Sequence, residues 1–293
     1  MDLYPTRCKL LFTAVTSILC LVLVAAPPCR AQAEGQKTFA SSKAAVDALI
    51  QAAKEDNVAE LQAIFGPDSK QIVSSGDDVA DNRVRERFVL DYEAKHSLVK
   101  SGPHQLTLNV GNRDWPFPVP LVHVNNNWFW NGTAGKEEIL YRRIGRNELS
   151  AINVCKGVVA AQHEYASGAH DGHPPGVYAT RLVSDAGKQN GLYWEVPEGA
   201  PPSPAGPLLA RADAEGYDTS KRVPYHGYYY RMLKSPTGFE FLAYPAEYRS
   251  SGVMTFIVDQ TGIIYQKDLG ERTTEIAEQM TNYKRDNTWE RVQ

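Results

Sequence analysis

Apolar residues recur at helical spacing in the first third of the chain. In SSKAAVDALIQAAKEDN, the positions i, i+3, i+4 and i+7 are occupied by Val46, Leu49, Ile50 and Ala53. This spacing places the four side chains on one face of a helix. The same spacing occurs in VAELQAIFG and in NRVRERFVLDYEAKH. The pattern therefore predicts three helices between residues 41 and 96.

Alternation of apolar and polar residues replaces this spacing from residue 105 onward. QLTLNVG alternates, and WPFPVPLVHV and WFW flank three asparagines. Asparagine tolerates the left-handed conformation of tight turns, so a hairpin is predicted here. Pro116, Pro118 and Pro120 lack amide donors, and we expect this strand to begin at a sheet edge or as an irregular segment.

A long helix is predicted from Lys136 to about Tyr165. Its apolar face is expected to contain Leu149, Ile152, Cys155, Val159 and Ala166. The segment GLYWEVPEGAPPSPAGPLLARA follows, with too many prolines for regular structure and too many large apolar residues for a free linker. We expect it to form an ordered loop that packs on the rest of the chain.

The last third of the chain is predicted to form a small antiparallel sheet. Strand patterns occur in YHGYYYRMLKS, GFEFLAYPAEY, SGVMTFIV and IIYQKDL, and DQTG forms a hairpin turn between the last two. In the first of these strands, alternation places Tyr228 and Tyr230 on one face and Tyr229 and Arg231 on the other. TTEIAEQMTNYK predicts a closing helix.

The N-terminus has the three parts of a secretory signal peptide. Arg7 and Lys9 are basic, the segment from Leu10 to Ala26 is apolar and uncharged, and AQA at residues 31–33 fits a cleavage site. The apolar run is shorter than the about 20 residues of a typical membrane-spanning helix, and two prolines end it. The sequence therefore predicts export, to the periplasm of a Gram-negative-type envelope, without stable membrane insertion of the mature chain.

Removal of the signal changes the cysteine count and the charge. Of the four cysteines only Cys155 remains, so no internal disulfide framework is expected, and its apolar helical position predicts a buried thiol. The mature chain has 28 basic residues (31 − 3) and 33 acidic residues (34 − 1), a net charge of −5. This balance argues against nucleic acid or an anionic membrane surface as a partner.

Two parts of the chain resemble known folds. The order of elements over residues 39–135 resembles the nuclear-transport-factor-two-like superfamily, in which a curved sheet wraps a pocket. Residues 145–268 resemble the soluble part of type IV pilins and type II secretion pseudopilins, where a helix similar to NELSAINVCKGVVAAQHEYA packs on a sheet whose last hairpin is similar to FIVDQTGIIY. Pilins polymerise through an apolar helix half that this segment lacks, so a pilus subunit is not expected.

A third resemblance spans most of the mature chain and is carried by five stretches: SSGDDVADNRVRERFVLDYEAKHSLV, DWPFPVPLV, GKEEILYRRIGRNELSAINVC, GLYWEVPEGAPPSPAGPLLARA and SGVMTFIVDQTGIIYQKDLG. With these stretches the chain resembles a bacterial family catalogued as domain of unknown function 2950. The resemblance implies export to the envelope and no established activity.

Two groups of aromatic residues are candidates for binding. Tyr228, Tyr230 and Tyr244 belong to a tyrosine-rich sheet, and tyrosine offers a large contact area at a low entropy cost. Trp128 and Trp130 share one strand face and are candidates for lining a pocket. Packing inside a core is the competing interpretation for both groups.

Three acidic residues are candidates for a metal site. Asp213, Glu215 and Asp218 in RADAEGYD offer closely spaced oxygen ligands of the kind that calcium prefers. The full calcium-loop pattern is absent, and a solvated acidic turn is the alternative. No cofactor is predicted beyond this candidate calcium ion.

Histidines and a second acidic stretch form two further clusters. His163, His170 and His173 offer zinc ligands, with surface loop histidines as the alternative interpretation. The acids of SSGDDVADNRVRER are candidates for catalysis, with a helix N-terminus capped by Asp81 as the alternative.

No phosphate-binding loop, nucleophile elbow, H-E-x-x-H or C-x-x-C motif occurs, which lowers the expectation of an enzyme. The leading hypothesis is a non-enzymatic envelope interaction or assembly module that contacts an envelope protein through its tyrosine-rich sheet. The alternative is a small-ligand binder or hydrolase that uses an aromatic pocket in the first unit.

The predicted architecture is α+β. It comprises a signal peptide (1–33), a unit of helices plus a curved antiparallel sheet (34–135), and a pilin-like unit in which a long helix packs on a small antiparallel sheet (136–293).

Overall fold

The computed structural model describes residues 34–236 and 238–292, so the predicted signal peptide lies outside the described residues. The helices are α1 (Ser42–Lys54), α2 (Val58–Phe65), α3 (Lys70–Val73), α4 (Asp78–Ala94), α5 (Gly132–Ser167), α6 (Gly206–Ala214) and α7 (Thr273–Gln279). The strands are β1 (His96–Gly102), β2 (Gln105–Val110), β3 (Trp115–Pro116), β4 (Leu121–Val124), β5 (Asn127–Trp130), β6 (Tyr228–Leu233), β7 (Glu240–Pro245), β8 (Met254–Asp259), β9 (Ile264–Asp268) and β10 (Glu290–Arg291). The α+β class is confirmed.

The first sheet packs against the helices that precede it. Its strands are ordered β1-β2-β4-β5, β3 pairs with β2, and every pairing is antiparallel. The indole N–H of Trp130, which is completely buried, donates to the carbonyl of Ala45 in α1 at 3.0 Å. The predicted apolar face of α1 is confirmed, because all four of its residues are buried: Val46, Leu49, Ile50 and Ala53.

The β4–β5 hairpin has the turn that its asparagines predict. Asn125 and Asn126 have φ angles of 49° and 66°, the left-handed conformation of a two-residue turn. The proline-rich segment before β4 contains only the two-residue strand β3, which agrees with the expected irregular entry.

The start and the end of α4 differ from the sequence-based prediction. The cap of this helix is Asp77, whose Oδ1 accepts from the amide of Ala80 at 3.0 Å, and not Asp81. Asp81 instead accepts from the amide and hydroxyl of Ser75 at 2.7 and 2.8 Å. At the other end, the predicted helix included His96, and residues 97–102 were not assigned to any element. Together these residues form β1, because pairing with β2 outweighs their local preference.

Helix α5 is the longest element among the described residues, and it contacts both α3 and the second sheet. Its 36 residues extend over about 54 Å. Near its middle, the guanidinium of Arg143 donates to the carbonyls of Gln71 and Ile72 at 2.7 and 3.0 Å, at the end of α3. Further along, α5 packs on β7 and β8. Leu149, expected on the buried face, is 65% exposed, because the buried face passes instead through Ala151, Cys155, Val158 and Ala161.

The second sheet is antiparallel with the strand order β10-β9-β8-β7-β6. The DQTG turn joins β8 and β9 as predicted, with Gly262 at a φ of 71°. Between α5 and β6, the chain crosses a long segment in which α6 is the only helix among the described residues. This helix was missed because its prolines suggested a loop, although Pro207 is compatible with the first turn of a helix.

Asp77 also joins the first part of the chain to the second. Its Oδ2 accepts from the hydroxyl of Tyr217 at 3.1 Å and from the amide of Gly227 at 2.8 Å. Asp77 is 2% exposed and Tyr217 is 4% exposed. Burial, followed by the charge of Asp77, raises the pKa of the Tyr217 phenol, so it remains a hydrogen-bond donor.

Candidate functional site

The tyrosine-rich strand β6 alternates between two buried clusters. Tyr228, Tyr230 and Met232 pack in the cluster that includes the buried face of α5. Tyr229 and Leu233 pack in a second cluster, on the side of α7. The predicted alternation of these side chains is therefore confirmed.

Several aromatic residues expected at a binding surface are inside the protein. Tyr228, Tyr244 and Trp130 are 0% exposed, whereas Tyr230 and Trp128 are half-buried. The hydroxyl of Tyr228 donates to the carbonyl of Met254 at 2.9 Å, which satisfies its polar group in the core. A side chain without exposed surface cannot contact a partner in this conformation. Packing, the competing interpretation, therefore accounts for these three rings.

Some backbone groups of β6 point away from the neighbouring strand β7. Tyr225 and Tyr228 exchange two backbone hydrogen bonds of 2.9 and 3.2 Å across a turn in which His226 and Gly227 have φ angles of 51° and 76°. The N–H and C=O of Tyr228 thus point away from β7. Strand geometry repeats every second residue, so the backbone groups of Tyr230 and Met232 point the same way.

These outward-facing backbone groups form an open edge. Within residues 34–236 and 238–292, no backbone group pairs with the N–H or C=O of Tyr230 or Met232. The edge is closed again at Lys234, whose amide donates to the carbonyl of Thr281 at 2.9 Å. The open edge therefore lies between Tyr228 and Lys234 on the outer side of β6.

A groove of about 330 Å³ runs along this edge. The residues that line it are Ala179, Thr180, Arg231, Met232, Leu233, Lys234, Ser235, Gly238, Phe239 and Thr281. We call it the β6 groove. One wall is strand β6 and the other is the loop at Ala179 and Thr180, so the groove lies between two segments that are distant in sequence.

The loop wall of the β6 groove is held by a buried amide. Gln162 of α5 is 0% exposed, and its side chain donates to the carbonyl of Ala179 at 2.9 Å and accepts from the same residue's amide at 3.0 Å. Two hydrogen bonds fix the loop backbone at its distance from the helix. Next to it, the ring of Tyr178 meets the ring of Phe239 edge-on at 5.3 Å. The groove is therefore preformed.

Basic side chains give the β6 groove its charge. Arg231 donates to the carbonyls of Ala277, Glu278 and Met280 at 3.1, 2.6 and 3.0 Å, at the end of α7. Lys234 is exposed at the end of the open edge. No acidic side chain is among the described residues that line the groove.

A second groove, of about 530 Å³, lies beside the proline-rich loop. Trp194 and His170 line it together with Pro197, Pro201, Pro202 and Pro204. The His170 ring stacks on Tyr165 at 4.2 Å, and its Nδ1 lies 3.1 Å from Oε1 of Gln189. The ring of Trp194 lies 5.5 Å from that of His170, and Leu192 and Ala205 are buried, which agrees with the prediction that the segment packs on the rest of the chain.

The histidine cluster is not brought together as a metal site. His170 and His173 exchange backbone hydrogen bonds of 3.2 and 2.9 Å around a tight turn, while His163 meets the ring of Tyr178 at 6.2 Å. Among the described residues, no group of three or more histidine, cysteine, aspartate or glutamate side chains is arranged to hold a metal ion.

The three acids proposed to bind calcium each have a different partner. Oδ1 of Asp213 accepts from Thr219 at 2.8 Å, and Asp218 pairs with Lys221 at 2.7 Å. Glu215 pairs with Arg83 and Arg211, and its Oε2 lies 2.5 Å from Nε2 of His226. Among the described residues, these three acids are not part of a group arranged to hold a metal ion, and each carboxylate is hydrogen-bonded or paired locally.

Cys155 lies in the core, as its position in the helix predicted. It is 0% exposed, and burial raises the pKa of its thiol to about 12. A thiol in this environment is an apolar packing group and not a nucleophile.

Sequence reasoning missed the residues that build the β6 groove. Gln162, a polar residue on the apolar face of α5, was the available signal, since a buried amide needs a partner. Nothing local marks Ala179 or Thr180, because only the fold brings them opposite β6.

Comparison with known families assigns the chain to one of them. The family model described as Protein of unknown function (DUF2950) matches residues 36–237 and 235–292, so the chain belongs to this family. No curated protein matches the chain. No solved structure matches it either.

Proposed function

We propose that this member of the family is a non-enzymatic interaction module of the bacterial envelope, which holds an extended segment of an envelope protein on the outer edge of β6. The single observation that carries the proposal is the unpaired backbone of Met232, which lines a preformed groove. The contact differs from the expected one, since backbone groups and not tyrosine rings provide it.

An extended peptide matches the chemistry of this edge. Exposed strand edges present rows of donors and acceptors that favour pairing with another strand. Proteins that recognise peptides by strand addition use these backbone bonds for affinity and the adjoining pockets for side-chain specificity. In the β6 groove, the half-buried side chain of Met232 offers apolar surface to side chains of the added strand.

The β6 edge differs from the other long edge of the fold. Strand β1 is also an outer strand, but most of its residues are exposed to solvent on both faces. The open part of β6 instead faces a loop that Gln162 holds in place. A fixed second wall limits what can enter and reduces the entropy cost of binding.

The finer fold assignments belong to the same proposal. We infer a nuclear-transport-factor-two-like unit in the first part, supported by the four helices α1–α4 followed by an antiparallel sheet. We infer a pilin-like unit in the second part, supported by α5 packing on a sheet that contains the β8–β9 hairpin. Export to the periplasm rests on the signal-like pattern of residues 1–33. In the described residues, no helix has the length and apolar character of a membrane span.

A ligand pocket in the first unit is not favoured by its aromatic residues. Trp130 is completely buried and its ring meets that of Phe117 edge-on at 5.6 Å. Phe117 in turn contacts Phe88 at 5.0 Å. These contacts are core packing, and we do not extend the proposal to this unit.

The test is site-specific photo-crosslinking in living cells of the host. A photoreactive amino acid at Thr180, an exposed residue of the groove wall, should capture one reproducible envelope protein. The same amino acid at Val183, an exposed residue of the same loop outside the groove, should capture much less of it.

A blocking variant completes the test. Thr180→Trp should fill the groove and abolish capture by a second crosslinker at Ser235, while Val183→Trp should leave that capture unchanged. Equal capture by the two crosslinker positions, or capture that persists in Thr180→Trp, would contradict the proposal.

A further inference from the structure

The open edge of β6 has a defined length. One end is closed by the paired residues Tyr225 and Tyr228, and the other by the bond from Lys234 to Thr281. Between them lie residues 229–233. At about 3.3 Å per residue, the opening from Tyr228 to Lys234 measures about 20 Å. A strand added here is therefore short, about five residues between the two closed ends.

The charge at one end of the β6 groove is not neutralised. Arg231 is occupied by three carbonyls at the end of α7. The ammonium group of Lys234 has no ion pair with any residue in the described ranges. Among the described residues, the lining contains no acidic side chain, so the ammonium group of Lys234 is an unpaired positive charge at the end where the open edge closes.

We infer that the segment bound at this edge is short, extended and carries a carboxylate at the end that lies beside Lys234. This inference rests on the proposed function. The carboxylate comes from an acidic side chain or from the C-terminus of the partner, since both present the same oxygen acceptors. An ion pair of this kind adds selectivity to a contact whose affinity comes from the backbone.

Three labelled peptides test the inference by fluorescence anisotropy with the purified protein. Each has five residues of alternating threonine and valine; the first ends in a glutamate amide, the second in a glutamine amide, and the third in valine with a free carboxylate. The glutamate peptide should bind about fivefold more tightly than the glutamine peptide, as expected for a partly screened ion pair. The third peptide identifies the source of the carboxylate.

Charge reversal at the groove provides the matched variants. Lys234→Glu should remove or invert the preference for glutamate, while Lys100→Glu, at an exposed position of β1, should leave it unchanged. Equal binding of the glutamate and glutamine peptides would overturn the carboxylate inference and leave the proposed function standing. Failure of all three peptides together with no capture at Thr180 would overturn both.

Discussion

Replacing Asp77 by alanine is expected to cause a large loss of stability, because three hydrogen bonds depend on one buried carboxylate. The amide of Ala80 loses its helix cap, which costs about 1 kcal/mol. The hydroxyl of Tyr217 and the amide of Gly227 are left without their acceptor, at about 1–2 kcal/mol each. The sum predicts that Asp77→Ala lowers the free energy of unfolding by about 3–5 kcal/mol.

Urea denaturation followed by circular dichroism measures this change. Asp78→Ala is the matched control, because Asp78 is an exposed neighbour in the first turn of α4 and its charge contributes at most about 1 kcal/mol. Asp77→Asn should fall between the two, since one oxygen remains to cap the helix. A loss below about 1 kcal/mol for Asp77→Ala would refute the reasoning, because a buried donor left without a partner costs at least that much.

Three further predictions concern acid sensitivity, thiol reactivity and core packing. Burial opposes ionisation of Glu215, but hydrogen bonds from His226 and Arg211 outweigh it and lower its pKa. The contribution of Glu215 to the free energy of unfolding is therefore present above the ordinary glutamate pKa and is lost as the pH falls through its lowered folded-state pKa. Glu215→Gln should thus flatten the fall of the urea midpoint between about pH 5 and about pH 3. A steeper fall in the variant would contradict this. Cys155, with a buried thiol of pKa about 12, should resist a thiol reagent at neutral pH until urea unfolds the protein; rapid labelling of the native protein would show that the thiol is accessible. Trp130→Phe should lower the free energy of unfolding by about 2 kcal/mol, because core contacts and the hydrogen bond to α1 are lost, and Trp128→Phe should lower it by less. A larger loss for Trp128→Phe would contradict the placement of Trp130 in the core.

The periodic elements were predictable from the sequence because local pattern and tertiary packing agree there. The α1 face, the asparagine turn between β4 and β5, and the alternation of Tyr228 and Tyr229 follow from spacing alone. The α1 face and the alternation in β6 have side chains at the period that a helix or a strand requires, and the turn has asparagines at its two positive-φ positions.

The elements that were missed depend on partners distant in sequence. Strand β1 exists because β2 pairs with it, and the helix pattern that precedes it gives no sign of where the helix ends. Leu149 was wrongly predicted to lie on the buried face of α5. Which of the neighbouring apolar residues are buried depends on the sheet that packs on the helix.

The candidate site was predictable only in part. The tyrosine-rich strand was identified, but which of its backbone groups remain unpaired depends on strand order, which the sequence does not specify. The β6 groove also needs Ala179 opposite the strand. Gln162 holds Ala179 there through a hydrogen bond to its carbonyl, although the two residues are 17 positions apart in the chain.

Amide hydrogen exchange at β6, followed by nuclear magnetic resonance, tests the central claim most directly. In the free protein, the amide of Met232 should exchange much faster than the amide of Arg231, which faces β7 and is paired there. Addition of the glutamate peptide should slow exchange at Met232 and leave Arg231 unchanged. Slow exchange at Met232 in the free protein, equal to that of Arg231, would show that the edge is already closed and would contradict the account.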